Sequence, residues 1–223
     1  MSTKQQYDID SINWYGKLIT LISNIVSIIL IPLLIPAYLI IIIFIYFPQL
    51  SISPFIDFRL YMITGVLLFT ILLPFVFLFI IFKLKIISTL DLSKREDRIY
   101  PQVFSGICYL FFTVCLIYKL GATNIFSLVM IANTLSILAI TVITNFWKIS
   151  THTSGAMGFF SICLILYFKY PSDDFFIPMM LITILTFAVC FARLYLKAHT
   201  FTQVIAGCLL GTSIGIGVFY FFS

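Results

Sequence analysis

Two histidines are all that this chain of 223 residues contains, and each lies in a short polar island of a very apolar sequence. One island reads Ser150-Thr151-His152-Thr153-Ser154-Gly155, and the other runs from Arg193 to His199. Imidazole moves protons near neutral pH and can also attack as a nucleophile. Ionisable groups beside lipid are costly, so those kept there mark function. The two imidazoles therefore predict one active site rather than two incidental residues.

Arg193 offers a planar fork of donors that fits phosphate oxygens. The six-residue spacing to His199 lets the guanidinium reach a phosphoryl group while the imidazole approaches its phosphorus. Gln203 follows one helical turn later and can hydrogen-bond His199, fixing its tautomer. In the first island Ser150, Thr151 or Thr153 can cap a helix whose N-terminal N–H groups favour an anion. Gly155 and Gly158 permit close backbone approach. A third stretch, Lys83 to Arg98, would put Lys94 and Arg98 on one face if helical. Read singly, each stretch has a plainer explanation: snorkelling basic residues, a capped helix start with an incidental histidine, and a solvated topological loop.

The elements that must position these residues follow from composition. The chain is 62% hydrophobic and 9% charged, more apolar surface than a soluble domain can hide. Continuous apolar runs, not alternating ones, exclude a β-barrel and predict an all-α, polytopic transmembrane helical bundle of six to seven spans. The runs are Lys17 to Phe47, broken by Pro32 and Pro36, then Phe58–Phe82, Pro101–Leu120, Asn124–Phe146, Thr153–Phe168, Asp174–Arg193 and Thr200–Phe222. A single integral-membrane domain, 1–223, with a polar tail over 1–16 and no cleavable signal peptide, is expected. Counting crossings puts Lys83–Arg98, Lys148–Thr153 and Arg193–His199 at one membrane surface, with Trp14 and Trp147. Ten of the thirteen basic residues fall on that side, which the positive-inside rule would make cytoplasmic. The net charge of +5 is topology information and anionic-lipid contact; no nucleic acid is expected as a partner. The five cysteines lie in apolar runs without a CxxC pair and are read as packed thiols. Gly207, Gly211 and Gly215 form a small-residue ridge for packing within the chain, with a homodimer seam as the alternative.

Together the islands resemble the type 2 phosphatidic acid phosphatase superfamily, which includes the vanadium haloperoxidases. Its third motif is matched by Ala192-Arg193, five residues, His199, three residues and Gln203. Its second is matched by Ile149-Ser150-Thr151-His152, and its first loosely by Lys94, Arg98 and Pro101. Gln203 stands where the family has Asp, Ala192 where it has Ser, and Ile149 and Thr151 where it has Pro and Gly.

The resemblance implies a phosphatase/haloperoxidase-like helical core over 94–211 in a multi-pass protein of a bacterial inner membrane. It implies a metal-independent hydrolase, without cofactor, acting on a lipid phosphomonoester or pyrophosphate in the bilayer. His199 would be the nucleophile and form a phosphohistidine. His152 would be the general acid, and Gln203 would orient His199. Arg193, Lys94, Arg98, Ser150 and Thr151 would hold the phosphate. The alternative is a catalytically weak relative that binds phospholipid as a carrier or scaffold. An active enzyme of this kind has a rate maximum between two apparent pKa values, since one imidazole must be neutral and the other protonated.

Overall fold

The computed structural model describes residues 3–51, 57–90, 92 and 94–222, with side chains from 14 to 220 among them. Asp91 and Ser93 of the charged stretch lie outside the described residues. Every regular element described is helical. Seven stretches are long and apolar enough to cross a bilayer, and large apolar side chains such as Ile184, Phe187, Phe191 and Leu209 face outward. This is an integral membrane helical bundle.

The first apolar run is two helices, α1 (Thr3–Ile29) and α2 (Ile35–Tyr46), separated by a 3-10 turn at Pro32–Leu34. Pro32 has no N–H to continue α1. The helix α1 begins at Thr3, within the polar first residues. The second run comprises α3 (Phe58–Val66), a π-helical stretch at Leu67–Leu72, and α4 (Leu73–Lys83). Pro74 opens α4, where its ring would crowd the carbonyl one turn back; the wider π turn accommodates it. The buried Thr70 hydroxyl donates to Val66 O at 2.7 Å.

Five helices follow: α5 (Ile99–Leu120), α6 (Ile125–Phe146), α7 (Thr151–Lys169), α8 (Phe176–Tyr195) and α9 (Phe201–Phe222). Thr113 of α5 and Thr134 of α6 share a buried hydroxyl hydrogen bond of 2.8 Å. The tightest pair is α7 with α9. A Cβ on Gly211 would strike the Ser154 carbonyl, and one on Gly207 would come within 2.6 Å of Ser150 O. A Cβ on Gly215 would meet Ser161 Oγ. The glycine ridge thus packs against α7 within the chain.

Aromatic packing closes one end of the bundle. Phe47, after α2, meets Phe175, before α8, at 5.0 Å between ring centroids, and meets Tyr170, after α7, at 6.4 Å. The N-terminus of α7, the C-terminus of α8 and the N-terminus of α9 consequently share the opposite end. Both histidines are there.

Candidate active site

The turn from α8 to α9 is made by a backbone device. Lys197 takes a left-handed conformation, φ 51°. Lys197 N–H bonds Leu194 O at 2.9 Å and Ala198 N–H bonds Arg193 O at 3.2 Å, the paired bonds of a Schellman cap. His199 N–H also points at Arg193 O, 3.4 Å away. The cap therefore locks His199 beside the residue that carries the guanidinium.

His199 is buried, 6% exposed. Its Nδ1 lies 3.1 Å from Gln203 Oε1, and Thr200 N–H donates to that same oxygen at 3.2 Å. An atom that accepts from a backbone N–H is the amide oxygen, so Nδ1 carries the proton facing it. Nε2 is left with its lone pair. Burial, then the Arg98, Arg193 and Lys148 cations, push this imidazole down to about 4 against the raising effect of its hydrogen bond to Gln203. Near neutral pH the ring is uncharged.

His152 stands in the first turn of α7, half-buried. It lies within electrostatic reach of Arg193, His199 and Arg98. Ser150 caps α7, its Oγ accepting from Thr153 N–H at 3.5 Å. Thr153 Oγ donates towards Val204 O at 3.3 Å, and Ser150 N–H towards Gln203 O at 3.4 Å. These bonds pin the first island to the start of α9. The N–H groups of Thr151 and His152 open the helix and lack helical acceptors.

The charged stretch folds differently from expectation. Glu96–Arg98 is a 3-10 turn, so Lys94 and Arg98 do not share a helical face. Arg98 is buried, and its Nε–H donates to Leu92 O at 2.7 Å. Leu92 is itself left-handed, φ 52°. Asp97, also buried, accepts from Ser88 N–H at 3.1 Å and from the Ser88 hydroxyl. Arg95 reaches across to Asn145 O at 3.2 Å, which ties the stretch to the end of α6. Lys94 is exposed, and the cations acting on the imidazoles are Arg98, Arg193 and Lys148. The structure brings Arg98, and not Lys94, close to the imidazoles. Ser150 is fully buried and serves as a helix cap.

Two residues of the cluster escaped the sequence reading. Lys148 precedes the first island and acts on His199. Ser27 of α1 receives Arg193 Nη1 at 3.4 Å. A signal for Ser27 existed: Gly16, Ser23 and Ser27 recur at helical spacing along an otherwise apolar run. Behind the site, Cys190 Sγ and Cys208 Sγ are 3.6 Å apart, both free thiols. Among the described residues no group of three His, Cys, Asp or Glu side chains could hold a metal ion.

Two imidazoles, one buried and one half-buried guanidinium and a helix N-terminus at one end of an apolar bundle fit a membrane protein that handles phosphate. The family model of the PAP2 superfamily matches residues 68–223, and the chain belongs to that superfamily, the type 2 phosphatidic acid phosphatases. Its general activity is that of a phosphatase, a phosphoric ester hydrolase. No curated protein and no solved structure matches the chain.

Proposed function

We propose that this protein is a metal-independent membrane lipid phosphatase that cleaves a lipid phosphomonoester or pyrophosphate through a phosphohistidine. The observation that carries the reading is at Arg193. Its Nε–H is buried and finds no acceptor among the described residues. Leaving a charged buried donor unmatched costs about 1–3 kcal/mol or more, and a phosphoryl oxygen is the acceptor its fork fits.

In this reading His199 Nε2 attacks phosphorus as the bond from phosphorus to the leaving oxygen breaks. His152 gives that oxygen its proton. The same imidazole, now neutral, takes a proton from the water that cleaves the phosphorus–nitrogen bond. Arg193 and Arg98 hold the equatorial oxygens, with the opening N–H groups of α7 and the charge of Lys148 in support. Gln203 keeps the nucleophile's tautomer without adding charge. Phosphatidic acid, phosphatidylglycerophosphate, undecaprenyl pyrophosphate and a lipid A phosphate are the candidate substrates, their tails entering between helices.

The test is phosphate release by purified protein in lipid nanodiscs containing chelator, against that panel. His199→Ala is expected to lower turnover by on the order of 10³-fold or more. Unchanged turnover would remove His199 from the nucleophile's role. The neutral Gln203 favours a second reading, a phospholipid carrier that does not cleave. Phosphate trapped on His199 during turnover excludes the carrier, and saturable lipid binding without it supports one.

A further inference from the structure

The family match begins at residue 68, so α1 lies wholly outside it, yet α1 reaches the site. Gly16 O accepts from the Tyr195 hydroxyl at 3.2 Å, and Ser27 Oγ from Arg193 Nη1 at 3.4 Å. Gly16 and Ser27 are about three helical turns apart and so share one face of α1. Both meet the last turn of α8. This helix therefore crosses the end of α8 at the site, while its other faces present Leu21, Ile22, Ile25 and Ile28 outward.

Ser27 is buried at 7% exposure. Its hydroxyl donates to Ser23 O at 2.8 Å, which turns its lone pairs towards the guanidinium. The break at Pro32 frees its carbonyl as well. Within a continuous helix Ser27 O would accept from Ile31 N–H, but that group bonds Ile28 O at 3.3 Å. The freed Ser27 carbonyl lies within electrostatic reach of the His152 ring. One residue thus touches the phosphate-binding side chain and neighbours the proton-donating one, from a helix that the family match does not include.

We propose that Ser27 is a positioning residue: α1 forms a wall of the site, and the Ser27 hydroxyl aims the Arg193 fork at the phosphoryl group while its carbonyl orients His152. This rests on the phosphatase reading only for what Arg193 binds. Held by Ser27 at Nη1, the guanidinium keeps Nε and its remaining donors for the ligand.

The test uses the full chain and a pair of equal shape, Ser27→Thr and Ser27→Val, with inorganic phosphate as the probe. Calorimetric phosphate binding is measured first, then KM and kcat on the best lipid phosphate. Ser27→Val is expected to weaken phosphate binding and to raise KM by about tenfold or more, the worth of one hydrogen bond to a charged group. Ser27→Thr is expected to recover wild-type values within about twofold, with both variants melting together. Equal phosphate binding by Val, Thr and wild type overturns the role of Ser27 and leaves the phosphatase reading standing. A loss shared by Thr and Val overturns it too, since shape and not the hydroxyl would then matter. If wild-type protein binds no phosphate, both readings fall.

Discussion

The pair formed by His199 and Gln203 decides how the proposed nucleophile behaves with pH. The imidazole titrates near 6.5 in an unfolded chain and near 4 in this site. Between those values the unfolded state binds more protons, so acid weakens the fold. Stability should be constant above about pH 6.5 and fall by up to about 3 kcal/mol as pH drops towards 4. Gln203→Asp would set a carboxylate beside the ring and raise its pKa, which favours the imidazolium. Two readouts follow. The melting temperature of the variant should depend less on pH between 4.5 and 6.5 than that of the wild type. The acidic limb of its rate profile should move to higher pH, because more of the nucleophile is protonated at any given pH. An acid limb that stays in place would mean that the amide does not govern His199.

Among the helices, the contact of α7 with α9 sets the separation of the two imidazoles. His152 rides on α7, and Gln203, which holds His199, rides on α9. Gly211→Ala would drive a methyl into the Ser154 carbonyl, a backbone atom that cannot swing aside. The cost expected is about 1–3 kcal/mol, with loss of phosphate release as α7 is pushed off. Gly217→Ala is the internal control. Nothing lies within 4 Å of its added Cβ, and removing a helical glycine should raise stability by up to about 1 kcal/mol. Thermal unfolding of the two variants side by side checks the packing. Equal behaviour would show that the ridge does not hold α7. The α8 cap is the companion device: left-handed Lys197, a residue with a Cβ where glycine is common, costs about 1–2 kcal/mol of local strain. That cost is borne where the turn must hold Arg193 and His199 together.

The bundle as a whole sorts its polar ends. Lys94 and Lys197 are exposed at the site end, and Ala122 and Asp173 are exposed at the other. With the native thiols replaced, a membrane-impermeant maleimide added to sealed vesicles should label Lys94→Cys and Lys197→Cys from one side only. Ala122→Cys and Asp173→Cys should react only from the opposite side. Labelling of Lys94→Cys and Lys197→Cys from different sides would separate the elements that build the site. The same experiment decides which compartment the phosphate enters.

Much of this was legible along the chain. Seven apolar runs are set by length and hydropathy alone, because a bilayer demands about 20 such residues per crossing whatever the partners are. The parity of crossings gathered the three islands at one surface. Spacing within a helix connected His199 to Gln203, since a separation of four residues is a local distance. Long-range choices could not be read in that way. Lys94 and Arg98 are both basic and four residues apart. Arg98 turns inward because the left-handed Leu92 carbonyl meets its guanidinium, and Lys94 is left outside. Ser27 is 166 residues from Arg193, and nothing local joins them. Their meeting depends on how α1, ended by a proline break, crosses α8, a choice made by packing and by which buried polar groups can be satisfied at once. Hydropathy and helical period are properties of neighbours along the chain; the wall of the site is a property of helices that touch only after folding.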